Sequence, residues 1–286
     1  MPFIQAGNIK LNYVEHGNGN NIVVFIHGYL GCVQWMDLIW PRLPKDIHVF
    51  TIDWRGCGES EKPAPLKDFA NYSLRQHAED MITAIKALGI KKCSLANHST
   101  GGIISVYMLL DEPDMFDKVL ALDPVSPTGL LVPENHRLAF QAIKENRNYA
   151  FKFLAFAAPT LFIKESLRPG AKPQFKPKTS AEQKDLFNLI VDKARFLSDG
   201  AGVGTLYHLR NERAAGTLAK ETHCIKQPIL VLWGEEDMVI PRQDIDETVK
   251  LSPNCKLKTI KDVGHSLTLE NPDLYARIFT DFFRNK

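Results

Sequence analysis

The 286-residue chain carries 35 Lys and Arg against 33 Asp and Glu, a formal net charge of +2 at pH 7. So even a balance offers nucleic acid or an anionic membrane no electrostatic handle, and no apolar run reaches the roughly 18 residues of a bilayer span. With 44% hydrophobic and 24% charged residues the composition is that of a globular protein and not of a disordered one. The length suits two domains of about 150 residues or one large α/β unit. Residues 1–16 lack the basic start and apolar block of a signal peptide. Cys32, Cys57, Cys93, Cys224 and Cys255 are odd in number, scattered and never spaced C-x-x-C. That fits a reducing compartment and supplies neither a disulfide framework nor a zinc site, so the expected location is cytoplasmic.

In chain order, short apolar runs alternate with helix-period segments. The run from Asn21 to Ile26 ends at His27-Gly28, and His48 to Ile52 ends at Asp53. Two more follow, Cys93 to Ala96 and Lys118 to Leu122. Runs this short, apolar on both faces, predict parallel strands covered by helices. Between them, Ser73-Leu74-Arg75-Gln76 has capping-box spacing, with apolar residues recurring at i, i+3, i+4 as far as Leu88 and Gly89 at the stop position. Ile103 to Leu110 is apolar nearly all round and predicts a buried helix. This alternation implies a doubly wound parallel sheet.

From about Pro127 to His223 the strand rhythm is absent. Helical stretches run from Arg137 to Ala158 and from Ala181 to Ser198, joined by a basic, proline-rich connector from Arg168 to Lys178. Strand character returns at Pro228 to Trp233 and at Lys256 to Ile260. Asn271-Pro272 is a good start for a final helix. Residues 127–223 therefore form a helical insertion in an α/β core made of residues 1–126 and 224–286.

The chemistry centres on Ala96-Asn97-His98-Ser99-Thr100-Gly101-Gly102, which follows a strand and precedes a buried helix. A serine at such a turn is forced out of the sheet with its hydroxyl exposed. The flanking positions must be small. Gly101 meets that need, while compact Asn97 stands where glycine is usual. Gly234 to Pro241 puts a carboxylate, Asp237, just past a strand end, and Val263-Gly264-His265 puts a histidine after the last strand. The order Ser99, Asp237, His265 matches one triad topology and neither the chymotrypsin nor the subtilisin order.

On these residues, together with His27-Gly28, the run Asp53 to Ser60, and Glu270-Asn271-Pro272, the chain resembles the α/β-hydrolase fold family over essentially its whole length. The resemblance implies a mostly parallel eight-stranded sheet flanked by helices, with residues 127–223 as a helical cap. It also implies a serine hydrolase in which His265 relays the Ser99 proton, Asp237 orients His265, and the backbone N–H groups of Tyr29 and Thr100 form the oxyanion hole. Asp123 also ends a strand, and some family members take the acid from that position; Asp237 is favoured here. Serine in place of aspartate at the turn argues against the epoxide-hydrolase and haloalkane-dehalogenase branches, which attack through a carboxylate.

Other candidates have blander readings. His98 is expected to point away from the serine as a packing residue, Asp53 and Arg55 to brace loops, and Glu235 and Glu236 to be solvated. Gly200 to Gly204 follows a helical pattern and not a strand, which disfavours dinucleotide binding. Phe151, Phe153, Phe156, Leu161 and Phe162 form an apolar patch that serves packing, an acyl-binding wall, or both. With Trp35 and Met238 it suggests an apolar substrate, and Trp35, Phe153, Phe156 and Met238 are the candidate substrate contacts. No cofactor and no metal are called for. The expected activity is hydrolysis of a carboxylic ester with a small to medium apolar acyl group, through an acyl-enzyme on Ser99. Lactones, acyl-homoserine lactones among them, other acyl bonds, and a triad-bearing small-molecule receptor are the alternatives. The oligomeric state is left open.

Overall fold

Every apolar run read as a strand pairs into one sheet. The computed structural model describes residues 2–284. Its strands are β1 (Phe3–Ala6), β2 (Ile9–His16), β3 (Asn21–Ile26), β4 (Ile47–Ile52), β5 (Cys93–His98), β6 (Phe116–Leu122), β7 (Ile229–Gly234) and β8 (Cys255–Ile260). They lie in the order β1-β2-β4-β3-β5-β6-β7-β8. Pairings β1·β2 and β2·β4 are antiparallel and the rest parallel. β5 is buried along its whole length, as is β3 from Val23 to Ile26. Burial on both faces is why these strands read as continuous apolar runs without alternation. This is the α/β-hydrolase fold.

The helices are α1 (Leu74–Ala87), α2 (Thr100–Asp111), α3 (His136–Glu145), α4 (Arg147–Ala155), α5 (Ala181–Ala194), α6 (Thr205–Ala215), α7 (Arg242–Leu251), α8 (Leu267–Glu270) and α9 (Pro272–Arg284). No helix among the described residues is long and apolar enough to cross a membrane. At α1 the Ser73 hydroxyl accepts from the Gln76 backbone N–H at 3.1 Å, but the Gln76 side chain donates to Asp80, so only half of the capping box forms. α2 is the apolar helix, and α9 starts on the Asn271 side-chain oxygen, which accepts from Leu274 N–H.

All of α3 to α6 falls between β6 and β7, which are neighbours in the sheet. The stretch 137–158 is two helices instead of one. Asn146 is extended there, and its side chain caps α4 by accepting from Tyr149 N–H. An asparagine that offers its own oxygen to the next turn competes with the continuing helix. α5 carries a complete capping box at Ser180 and Gln183.

The glycine-rich run Gly200–Gly204 is a π-turn leading into α6. A Cβ at Gly200 would lie 2.0 Å from the Tyr72 ring, and one at Gly202 would lie 2.0 Å from the Phe140 ring. These glycines let helix backbone approach aromatic rings. Phe151 and Phe162 pack edge to face at 5.8 Å and join Phe175 and Phe187 in an aromatic cluster inside the insertion. Within the sequence patch they are the packing members.

Candidate active site

The parallel core of the sheet ends its strands on one side, and the loops there carry the candidate residues. Ser99 follows β5 with φ 54° and ψ −121°, a region that costs a residue with a side chain on the order of 1–3 kcal/mol. Three backbone hydrogen bonds hold it: Ser99 N–H donates to Leu122 at 3.0 Å, and the Ser99 carbonyl accepts from Gly102 and Val125 at 2.9 Å each. Gly101 is required, because a Cβ there would lie 2.3 Å from the Ile26 carbonyl oxygen. Gly28 is required too, since its Cβ would lie 2.8 Å from that of Ser99. Asn97 fits without glycine. Its amide donates to the Ser105 hydroxyl on α2 at 3.1 Å, and that hydroxyl donates to Gly101 at 2.7 Å.

Asp237 follows β7, and His265 follows β8. The His265 Nδ1 meets Asp237 Oδ2 at 2.8 Å. The other carboxylate oxygen accepts from the N–H groups of Val239 and Ile240 at 2.7 and 3.0 Å. The acid is therefore locked by its own turn, with its side chain fully shielded from solvent. Such a carboxylate selects the imidazole tautomer with the proton on Nδ1 and leaves Nε2 as a base.

Ser99, Thr100, Tyr29 and His265 all line one cavity of about 350 Å³. Its apolar walls include Leu130, Val132, Phe140 and Ile143 from the insertion, and Phe153, Phe156 and Met238 reach it as well. Trp35 does not line it. That ring is buried and packs 5.3 Å from His98 instead. Of the four candidate substrate contacts, three meet at the cavity and Trp35 is packed against His98. Leu30 also lines the cavity at φ 59° and Asp123 stands beside the site at φ 43°, so strained backbone clusters here.

Three neighbours act on the site in ways their sequence positions did not reveal. Asp123, after β6, is fully buried; one carboxyl oxygen accepts from Gly234 N–H at 2.9 Å and the other finds no hydrogen-bond partner in the structure. Burial first, and then the Asp237 charge, push its pKa well above the usual carboxylate range, which favours the protonated form. Donor atoms of Asp123, Asp237 and His265 lie within 4.8 Å of one another. With Asp237 and His265 bonded to each other and burial favouring a proton on Asp123, the cluster suits proton sharing better than cation binding.

His98 is buried, and its Nε2–H donates to the His265 carbonyl at 2.8 Å. Burial pushes its basicity well below the usual histidine range, so the ring stays neutral. It packs as expected, and it also props up the loop of His265. Glu270 accepts from Gly264 N–H at 2.5 Å and from Thr160 N–H of the insertion at 3.1 Å, tying the histidine loop to the helical layer. Burial raises its pKa to about 7.

The loop-bracing roles expected of Asp53 and Arg55 are met. Asp53 accepts from Asn12, Val33 and Glu59. Arg55 makes a bidentate pair with Asp80 at 2.5 and 2.7 Å and donates to Asn71. His27 is buried and stacked on Trp54 at 4.7 Å.

A model of the alpha/beta hydrolase fold matches residues 21–272. The chain is an α/β hydrolase. Among curated proteins, this hydrolase is 21% identical over 295 residues to epoxide hydrolase 2 of Caenorhabditis elegans, an alignment covering 99% of this chain and 79% of the relative. Among solved structures, it superposes on the enol-lactonase from Burkholderia xenovorans with a TM-score of 0.79 at 18% identity, over 99% of this chain and 100% of the other. An esterase from Exiguobacterium antarcticum gives a TM-score of 0.79 at 19% identity, over 99% of both chains. At these identities the structural likeness speaks for the fold.

Proposed function

We propose that this α/β hydrolase is a serine hydrolase that cleaves a carboxylic ester with a small to medium apolar acyl group. The supporting observation is the 2.8 Å pair of His265 Nδ1 and Asp237, with His265 and Ser99 facing the same apolar cavity. Ser99 Oγ adds to the carbonyl carbon as His265 Nε2 takes its proton. The negative charge that develops on the carbonyl oxygen meets the backbone N–H groups of Tyr29 and Thr100, each such donor being worth about 3–4 kcal/mol. The ester C–O bond then breaks, its electron pair leaves on the alcohol oxygen, and His265 returns the proton there. Water repeats the sequence on the acyl-enzyme and frees Ser99. Residues 127–223 serve as the cap that walls the acyl group off from solvent.

A cavity of about 350 Å³ suits a short acyl chain better than a long triglyceride chain. The relatives include an epoxide hydrolase, but the resemblance assigns epoxide opening to a carboxylate nucleophile, and Ser99 stands at that turn here.

The test is a series of 4-nitrophenyl esters from acetyl to palmitoyl, plus one acyl lactone, on wild type and Ser99→Ala. Multiple turnovers that peak at short acyl chains and vanish in Ser99→Ala are expected. A lactone preference would move the substrate to the cyclic ester. Full activity in Ser99→Ala would overturn the serine mechanism. Ligand-induced thermal shifts without turnover would make the site a receptor.

A further inference from the structure

The most basic stretch of the chain takes no part in the site described above. Between residues 164 and 178 five cations, Lys164, Arg168, Lys172, Lys176 and Lys178, stand against one acid, Glu165. A run like this in a loop would ordinarily be a solvated, wandering segment. Here it is pinned. Phe162 and Phe175 form an antiparallel bridge, flanked by hydrogen bonds of 2.8 Å from Ile163 N–H to Gln174 and from Lys176 N–H to Leu161. The Phe175 ring stacks on Phe162 at 4.5 Å and meets Phe151 and Phe187 edge to face. The aromatic cluster therefore fixes where the cations stand.

Four of them, Lys164, Arg168, Lys176 and Lys178, line a cleft of about 1010 Å³ between the insertion and the core. None of the four makes an ion pair among the described residues. The core side of the cleft carries Glu236, Asp262 and Glu270, of which Glu270 already spends its carboxyl oxygens on backbone N–H groups. Cations outnumber the two remaining acids, and they gather on one wall.

Phe156 and Met238 line both this cleft and the Ser99 cavity, so the two spaces meet there. Glu236 and Met238 flank Asp237, and Asp262 lies in the loop that carries His265. The cleft thus abuts the side of the site from which a leaving group receives its proton. The acyl half has its own apolar space among Leu130, Val132, Phe140 and Ile143. A recessed cleft also suits the head of a small molecule better than a flat membrane surface.

We propose that the cleft is a leaving-group subsite for an anionic head, so that the substrate joins an apolar acyl group to an alcohol or thiol bearing a phosphate or a carboxylate. This rests on the serine-hydrolase reading. Hydrolysis gives the apolar acid and the anionic alcohol or thiol, with water as the only co-reactant. Unpaired cations on a fixed wall raise both encounter rate and affinity for such a head, and salt weakens both.

The experiment compares two matched pairs of substrates, with each enzymatic ratio divided by the ratio of hydroxide-catalysed rates. Butyryl-coenzyme A against S-butyryl-N-acetylcysteamine tests a phosphate head. The 4-(butyryloxy)benzoate anion against its methyl ester tests a carboxylate. At low salt, kcat/KM should favour the anionic member of at least one pair by about tenfold or more, and the pair concerned identifies the head. That preference should shrink severalfold in about 0.5 M NaCl and approach one in the double variant Lys164→Glu with Lys178→Glu. The milder Lys164→Gln with Lys178→Gln should lie between, and circular dichroism checks that both variants fold. Equal rates within both pairs, or a preference that survives charge reversal, would overturn the subsite while leaving the hydrolase reading intact. Failure to turn over any of the four substrates would overturn the serine-hydrolase reading, and the subsite with it.

Discussion

Replacing Asp237 by asparagine separates the two carboxyl groups near His265 and puts a number on each. The carbonyl oxygen of the new amide keeps the hydrogen bonds from Val239 and Ile240, which the carboxylate accepts at 2.7 and 3.0 Å. Its NH₂ then faces His265 Nδ1, which must accept instead of donate. The imidazole proton moves to Nε2, the nitrogen needed to take the Ser99 proton. Wrong-tautomer substitutions of this kind cost about 10⁴ in kcat, equivalent to roughly 5.5 kcal/mol of barrier. The fold should not suffer, because a buried negative charge beside Asp123 is removed and the turn bonds survive. Asp123→Asn makes the opposite case. A protonated Asp123 resembles an amide in shape and charge, and the asparagine oxygen can keep the hydrogen bond from Gly234 N–H. Activity should stay within about threefold of wild type. The assay is steady-state hydrolysis of 4-nitrophenyl butyrate by both variants, with a thermal melt beside it. Retention of more than a tenth of kcat in Asp237→Asn, or a larger loss in Asp123→Asn than in Asp237→Asn, would refute this division of labour.

Gly101→Ala should fail at the Ser99 turn, because its Cβ would sit 2.3 Å from the Ile26 carbonyl; a loss of about 1–3 kcal/mol in urea unfolding, with at least a tenfold fall in kcat, is expected, and an unperturbed variant would contradict the close approach. Arg55→Ala leaves Asp80 buried without its partner and should cost about 3–5 kcal/mol of stability, read from the shift in the urea midpoint. Glu270 has its folded pKa raised from 4.5 to about 7, so the native state binds the extra proton between those values. Stability should therefore fall as pH rises from about 4.5 to 7, by at most roughly 3 kcal/mol. Glu270→Gln should flatten that slope, and identical pH 5 to pH 8 differences in the two proteins would rule it out.

While β1 and β2 were not legible in the sequence, six of the eight strands, the main helices that cover them and the residue types at the loop ends were. These are local consequences of backbone hydrogen bonding and burial, which write periods of 3.6 and 2, or unbroken apolar runs, into the chain. Ser99 was legible for the same reason, since a strand-to-helix turn leaves its mark within a few residues. The break at Asn146 was not, because helix propensity on either side hides a single side chain turned to cap. Which groups meet was set by the folding of distant segments together. Whether Asp123 or Asp237 reaches His265 depends on how β6, β7 and β8 stack side by side, and the contact of His98 with His265 joins residues 167 positions apart. The aromatic residues were equally ambiguous, because a phenylalanine satisfies a packed cluster and a cavity wall alike. Trp35 packed against His98, Phe153 and Phe156 went to the cavity wall and Phe162 into the insertion, as the folded chain filled its space. Charge followed the same rule. The sequence displayed the cations of the connector, and the Phe162–Phe175 bridge set them along a cleft beside the histidine loop.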